Sequence, residues 1–244
     1  MKFQFSVLLL FPIILSSLRA QTIKILESKS DHISIELSFS DYYPISEKIY
    51  QGKKFTYIEK NGICFRKPGE PWVPTEYYYF GIPFNKIATC KILNITQEKI
   101  ANILIMPYPD SANQPIGQLK YDPIIYIHDQ VFPSSLVKVT RPFIMRYVKG
   151  ASIEVSPYQY NPITRELIFN KKIVLQISFD SDTRNKELNI MNIKDKLTED
   201  FVASIFINPS EAKGFIGKQV TLKNSNSYPS DTVRYHQPIT HSNY

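Results

Sequence analysis

Cysteine and histidine are scarce in this chain. Its 244 residues include two cysteines, Cys64 and Cys90, and four histidines, and none of them recurs with the spacing of a metal site. The sequence therefore predicts no metal ion and no other cofactor. For the cysteines it leaves three interpretations open: a disulfide in an exported protein, two buried thiols that act as small apolar side chains, or a reactive thiol.

Long apolar runs are rare as well. The one at residues 5–14 follows Lys2 and precedes small and polar residues that end at Ala20. This order predicts a secretory signal peptide at residues 1–20, cut after Ala20, with a buried N-terminal strand as the alternative. No cysteine follows the run to carry a lipid, and no second run is long enough for a transmembrane helix. We therefore expect a secreted protein (periplasmic, cell-surface or extracellular) without a transmembrane anchor.

Clustered basic charge is also missing. The formal net charge is +7, but the lysines and arginines are scattered along the chain as single residues and short pairs. Binding to nucleic acid requires a basic stripe or face. The charge pattern therefore favours a solvated surface and predicts no nucleic-acid partner.

Short β-type runs make up most of what is present. Residues Ile173, Leu175, Ile177 and Phe179 alternate with more polar neighbours, which is the period of a strand with one buried face. Similar runs recur at short intervals, separated by proline, asparagine, aspartate and glycine. This pattern predicts an all-β, antiparallel, jelly-roll-like sandwich. The predicted strands are residues 22–26, 33–39, 54–58, 76–82, 87–95, 103–106, 123–127, 136–147, 151–157, 166–169 and 173–179.

One short helix is predicted near the C-terminus. Apolar residues recur at helical spacing from Leu197 to Phe206, and Pro209 ends the run. Residues 214–244 are mainly polar and show no sustained apolar period, so they predict a tail that cannot order itself.

A turn at Asn161-Pro162-Ile163-Thr164 predicts a hairpin that joins the strand at residues 151–157 to the strands that follow. The sequence around it, from Pro142 to Thr164, resembles the last strands of the propeptide of gingipain-type cysteine peptidases. Residues 69–74 (GEPWVP) resemble the entry to a strand in that family, and residues 201–213 resemble the helix and tail that lead to its processing site. The resemblance covers residues 55–213.

The resemblance implies a propeptide domain at residues 21–213 that is not an enzyme. In the family, the catalytic cysteine and histidine belong to a domain that follows the propeptide, and residues 214–244 are too few to form one. The implied partner is a gingipain-type cysteine peptidase, in cis in relatives and in trans here. We expect an inhibitor and folding helper of that peptidase, or the stub of a truncated zymogen.

The resemblance also places a blocking loop between residues 103–106 and the pair Phe132-Pro133. Arg-specific relatives carry an arginine early in this loop, where this chain has Asn113 and Gln114. Lys120 is the only lysine or arginine between Pro107 and Phe132, so it is the candidate residue for a peptidase pocket. An ordinary solvated lysine is the alternative.

Lys213 occupies the position at which relatives are cut to release the peptidase, and an ordinary surface lysine is again the alternative.

Two other functions compete with the propeptide interpretation. One is a binding module that uses the aromatic run at residues 77–80 to hold a glycan or a surface partner. The other is a small hydrolase built on Cys64 or Cys90.

Overall fold

The computed structural model describes residues 22–39, 45–50, 52–58, 66–109, 121–182 and 195–215. These residues form eleven strands and three short helices. The strands are β1 (Thr22–Ser28), β2 (His32–Ser38), β3 (Ile45–Tyr50), β4 (Lys53–Ile58), β5 (Glu76–Gly81), β6 (Lys86–Ile100), β7 (Val137–Val139), β8 (Phe143–Met145), β9 (Val148–Val155), β10 (Tyr158–Asn161) and β11 (Glu166–Ser181). The helices are α1 (Pro123–Tyr126), α2 (Lys196–Ile205) and α3 (Pro209–Gly214).

The first sheet is built around β11. This strand pairs antiparallel with β2 and β10 on one side and with β6 on the other, and β1 extends the sheet beyond β2. Ile173, Leu175 and Ile177 are fully buried, as the two-residue period predicts. One face of this sheet therefore supplies half of the core.

The second sheet has the order β5-β9-β7, with β8 also paired to β9. Its inward side chains, such as Phe80 and Ile153, join those of β2 and β11 in one apolar cluster. The strands β3 and β4 form a separate hairpin that contacts residue Ile105 through a bridge at Thr56. The antiparallel, jelly-roll-like sandwich predicted from the sequence is confirmed.

The predicted turn at residues 161–164 is present, but one of its strands was assigned wrongly. The side chain of Asn161 accepts hydrogen bonds from the backbone N–H groups of Ile163 and Thr164, at 3.0 and 3.3 Å. The strand before the turn is β10, whereas residues 151–155 belong to β9 in the opposite sheet. The alternation in 151–157 identifies a strand but does not say which sheet it joins.

Five other predicted strands differ from the structure. The run at 103–106 is not a strand and contributes only an isolated bridge, between Ile105 and Thr56. The run at 123–127 is the helix α1, which begins with a proline in its first turn behind the capping residue Asp122. The run at 136–147 is split into β7 and β8, because Pro142 cannot donate a ladder hydrogen bond. The runs at 166–169 and 173–179 are one continuous strand, β11.

The C-terminal part contains two helices where one was predicted. The predicted helix is α2, and its N-cap, Asp195, accepts a hydrogen bond from the N–H of Thr198. α2 already ends at Ile205, and Pro209, which was predicted to end that run, begins α3, because proline is well suited to the first turn of a helix. The chain therefore continues to pack on the sandwich beyond α2.

Candidate inhibitory site

The segment predicted as the blocking loop leaves and re-enters the fold at one residue, Gly69. The N–H of Gly69 donates to the carbonyl oxygen of Tyr108 at 2.9 Å, and its own carbonyl accepts from the N–H of Asp122 at 3.0 Å. Gly69 has a φ of 89°, a conformation that glycine adopts without strain. We call these three residues the loop base. The chain on the two sides of the predicted loop is therefore bonded to the same residue.

The outgoing side of the loop base is reinforced by Trp72. The backbone N–H of Trp72 donates to the backbone carbonyl of Met106 at 2.9 Å. The backbone N–H of Tyr108 donates to the backbone carbonyl of Glu70 at 2.7 Å. The indole ring meets the rings of Tyr57 and Tyr108 edge to face, with centroid distances of 4.8 and 5.2 Å. Such aromatic contacts stabilise beyond the apolar area they bury, so the path of the chain into the loop is fixed.

The returning side begins with a helix cap. The side chain of Asp122 accepts from the N–H of Ile124 at 2.9 Å and so starts α1. The ring of Tyr121, before the helix, meets the ring of Tyr126, the last residue of α1, edge to face at a centroid distance of 4.9 Å. Asp122 therefore contributes to the loop base twice, through its backbone to Gly69 and through its side chain to α1.

The chain after α1 is held by the hairpin of β10 and β11. Phe132 and Tyr160 exchange backbone hydrogen bonds of 2.8 and 2.7 Å, and Asn161 donates from Nδ2 to Asp129 at 2.7 Å. Tyr160 is fully buried and its hydroxyl donates to the carbonyl of Ile103 at 3.0 Å. Burial raises the pKa of Tyr160, so the hydroxyl stays a neutral donor. The part of the sequence that most resembles the family thus holds the chain that follows α1.

A buried polar network stiffens this attachment. Asn170 is fully buried and donates to the carbonyl of Ser156 at 3.1 Å, while it accepts from Gln97 at 2.6 Å. Gln159 donates from Nε2 to the carbonyl of Pro133 at 2.8 Å. Buried amides with satisfied hydrogen bonds fix one arrangement of the segments that they join.

The residues predicted for the inhibitory loop, Asn113, Gln114 and the candidate pocket residue Lys120, lie outside the described residues. So do Ala20, the predicted signal cleavage site, and Cys64, one half of the predicted disulfide. Their roles stay predictions.

Cys90 lies on β6 opposite Ile177, and its side chain is partly buried. Burial raises the pKa of its thiol to about 11. Because the thiolate is the nucleophilic form, a thiol with this pKa is poorly suited to catalysis at neutral pH. The position disfavours a hydrolase built on Cys90, and the pairing with Cys64 stays a prediction.

The aromatic run at residues 77–80 falls on β5. Tyr78 and Phe80 point into the core, as a strand period of two requires. Tyr79 is 39% exposed, but its ring lies edge-on to Phe143 at 6.3 Å. The run therefore offers little aromatic surface for a glycan.

Lys213, the predicted processing residue, is exposed in the last turn of α3. Its neighbour Ala212 is buried, and Phe215 lies edge to face with Phe179 at a centroid distance of 5.9 Å. The residue is accessible, but the chain on both sides of it is packed.

The described residues hold no group of three or more histidine, cysteine, aspartate or glutamate side chains placed to bind a metal ion. None of the described helices has the length and apolar character needed to cross a bilayer.

Comparison with known proteins identifies this kind of domain. The model of the family Propeptide_C25 matches residues 17–206. Gingipain R2 of Porphyromonas gingivalis is 31% identical over 182 residues, which cover 70% of this chain and 23% of that protein. Gingipain R1 of the same species is 32% identical over 158 residues, or 63% of this chain and 15% of that protein. The chain thus spans less than a quarter of these relatives.

Two solved structures share the fold. The complex of Porphyromonas gingivalis RgpB pro- and mature domains contains a chain with a TM-score of 0.64 and 20% identity; the match covers 77% of this chain and 96% of that one. A structure on the zymogenic latency of gingipain K from the same species has a TM-score of 0.55 and 17% identity. That match covers 66% of this chain and 93% of the other. The family model, together with this shared fold, shows that the domain is a peptidase propeptide and not the catalytic domain. The chain belongs to the Propeptide_C25 family, and its predicted resemblance to gingipain propeptides is confirmed.

Proposed function

We propose that this chain is a secreted prodomain that inhibits a gingipain-type cysteine peptidase and assists its folding. The loop from Pro107 to Pro123 blocks the active-site cleft. The observation that carries this proposal is the loop base, where Gly69 bonds both ends of the loop. A loop whose ends are already held loses less conformational freedom on binding, so more of the contact energy appears as affinity.

The chemistry of the loop favours a peptidase that accepts lysine. Lys120 is its only basic residue, and Asn113 and Gln114 stand where Arg-specific relatives have arginine. A lysine in an acidic, desolvated pocket contributes about 2 kcal/mol or more to binding. The rest of the affinity must come from a wider surface, because inhibitory interfaces bury about 1,600 Å² in total.

Two related structures support a peptidase as partner, since one is a complex of pro- and mature domains and the other concerns the zymogenic latency of gingipain K. The sequence pattern of residues 1–20, which predicts a signal peptide cut after Ala20, supports export of the protein. N-terminal sequencing of the exported protein checks this cut, which should leave Gln21 as the first residue.

Inhibition is tested by titrating the catalytic domain of a Lys-preferring gingipain-type peptidase with residues 21–244. We expect Lys120→Ala to raise the inhibition constant well over tenfold, because it removes the pocket residue. The matched control is Lys172→Ala on β11, whose ammonium pairs with Glu36 at 3.1 Å on the sheet and should change the constant little.

A variant in which residues 108–120 are replaced by a short linker decides whether the loop inhibits at all. If this variant inhibits the peptidase as strongly as the unaltered chain does, the loop is not the inhibitory element. Folding assistance is measured separately as the yield of active catalytic domain refolded with and without the prodomain, and an unchanged yield would remove that half of the proposal.

A further inference from the structure

Residues 206–215 form a strap along the edge of the second sheet. Phe206 makes a parallel bridge with Tyr79, and the N–H of Ile207 donates to the carbonyl of Tyr79 at 2.9 Å. Among the described strands, β5 pairs only with β9, so its other edge is the one that the strap covers. The strap therefore continues the sheet by a short extra segment.

Asn208 fastens the strap to β5. It is 1% exposed; its Oδ1 accepts from the N–H of Gly81 at 2.8 Å and its Nδ2 donates to the carbonyl of Gly81 at 3.0 Å. Although Asn208 stands at the N-cap of α3, its side chain makes no capping hydrogen bond. Its amide instead replaces a neighbouring strand, and satisfies two backbone groups that would otherwise be buried without partners.

Two further contacts hold α3 and the residue after it. Ala212 is 1% exposed, and a Cβ placed on Gly81 would lie 2.4 Å from the Cβ of Ala212, so only glycine fits there. Phe215 lies against Phe179, which stacks on Phe80 with a centroid distance of 6.3 Å. The strap is thus attached before α3 at Asn208, within it at Ala212 and after it at Phe215.

The bond after Lys213 lies inside this attached segment. Lys213 and Gly214 are exposed, so burial does not protect the bond, but both belong to α3. Peptidases and other peptide-binding clefts commonly take their ligands as extended strands. Extending the six residues of α3 lengthens this segment by about 11 Å, from a rise of about 1.5 to about 3.3 Å per residue. The attachments at Asn208 and Phe215 cannot both survive that change.

We infer that the strap is a lock on processing: cleavage after Lys213 requires release of residues 206–215 from the edge of β5. This inference rests on the proposed role of Lys213 as the processing residue. Because proteolysis of a folded chain follows the population of the locally opened state, the packing of the strap sets the cleavage rate. A strap loosened by docking of the peptidase would be cut, whereas one on the free prodomain would resist.

The test uses a Lys-specific endopeptidase of another family on residues 21–244, with fragments timed by mass spectrometry. We expect Gly81→Ala to speed cleavage after Lys213 at least tenfold, because the added Cβ displaces Ala212, and Phe215→Ala to speed it several-fold. The matched control is Gly52→Ala, whose added Cβ meets nothing within 4 Å and should leave this rate unchanged.

Cleavage after Lys172, in the middle of β11, reports global unfolding in the same samples. If Gly81→Ala also speeds cleavage after Lys172, it destabilises the whole domain. The effect of the strap on cleavage after Lys213 is then judged from Phe215→Ala. Equal rates after Lys213 for Phe215→Ala and the unaltered chain would overturn the lock. The endopeptidase in this test is unrelated to the proposed partner, so the two proposals can fail separately. A gingipain-type peptidase that cuts elsewhere would contradict the processing role of Lys213 but not the control of cleavage by the strap.

Discussion

The loop base and the strap attach two chain segments in opposite ways. The loop base holds its segment at the two ends, through backbone hydrogen bonds to Gly69. The strap holds its segment along the length, through the side chains of Asn208, Ala212 and Phe215. Attachment along the length commits the side chains of the strap to the fold, whereas the loop is proposed to present its side chains to a partner.

Because the two segments are attached differently, we expect substitutions in them to affect inhibition and stability separately. Changes at the loop base should alter binding to a peptidase more than they alter folding, and changes in the strap should do the reverse. The predictions below test this separation, beginning with the largest expected effect.

Asn208→Ala should cost the most stability. It leaves the N–H and the carbonyl of Gly81 without partners in a buried place, and each such loss costs roughly 1–3 kcal/mol. We expect about 3 kcal/mol less free energy of unfolding in urea, with little change in the inhibition constant. Lys91→Ala is the control, since Lys91 is exposed on β6 and its loss should cost under about 0.5 kcal/mol. Similar losses for both variants would mean that the strap is not part of the stable fold.

Gly69→Ala should have the next largest effect, and mainly on binding. At a φ of 89° an alanine is strained by about 1 kcal/mol, which loosens the loop base. We expect inhibition to weaken about tenfold, a larger effect than the loss of stability alone explains. Gly52→Ala carries a comparable strain at a φ of 73° on the hairpin of β3 and β4, and should leave inhibition intact. If both variants inhibit equally well, the loop base has no role in binding.

The smallest expected effect is a pH dependence of the start of α2. Hydrogen bonds from the backbone and the side chain of Thr198, together with the nearby Arg146, hold the pKa of Asp195 below its usual range. A lowered pKa in the folded state adds stability above the unfolded value, near 3.8, that is lost as the pH falls through the folded value.

Asp195→Asn should therefore lower the melting temperature by a few degrees at neutral pH, and this difference should fade below about pH 4. Asp200→Asn, on an exposed position of the same helix, is the control. A difference between Asp195→Asn and the unaltered chain that stays constant from pH 7 to pH 2 would contradict the charged cap.

The sequence alone predicted the sandwich because the strand periods are strong. The burial of Ile173, Leu175 and Ile177 follows from alternation that any sheet would require. The strand β3 was missed, because its centre, residues 46–48, is polar and both of its isoleucines, Ile45 and Ile49, are exposed. The short helix α1 was taken for a strand, although Asp122 before Pro123 is a recognisable cap signal.

The candidate sites depend on contacts that no local pattern contains. Asn208 and Gly81 are 127 positions apart in the chain, and Gly69 is joined to Tyr108 and Asp122 through backbone atoms that every residue has. Resemblance to a family predicts the inhibitory loop and the processing residue. The way in which each is attached follows only from the tertiary structure.

Hydrogen exchange of the prodomain, alone and mixed with the catalytic domain of a gingipain-type peptidase, tests the contrast most directly. Peptides that cover residues 107–122 should gain protection in the mixture, because the loop enters the cleft and its base supports it. Peptides that cover residues 206–215 should gain none, since the strap is already committed to the edge of β5. Protection gained in the strap, with none in the loop, would contradict the account.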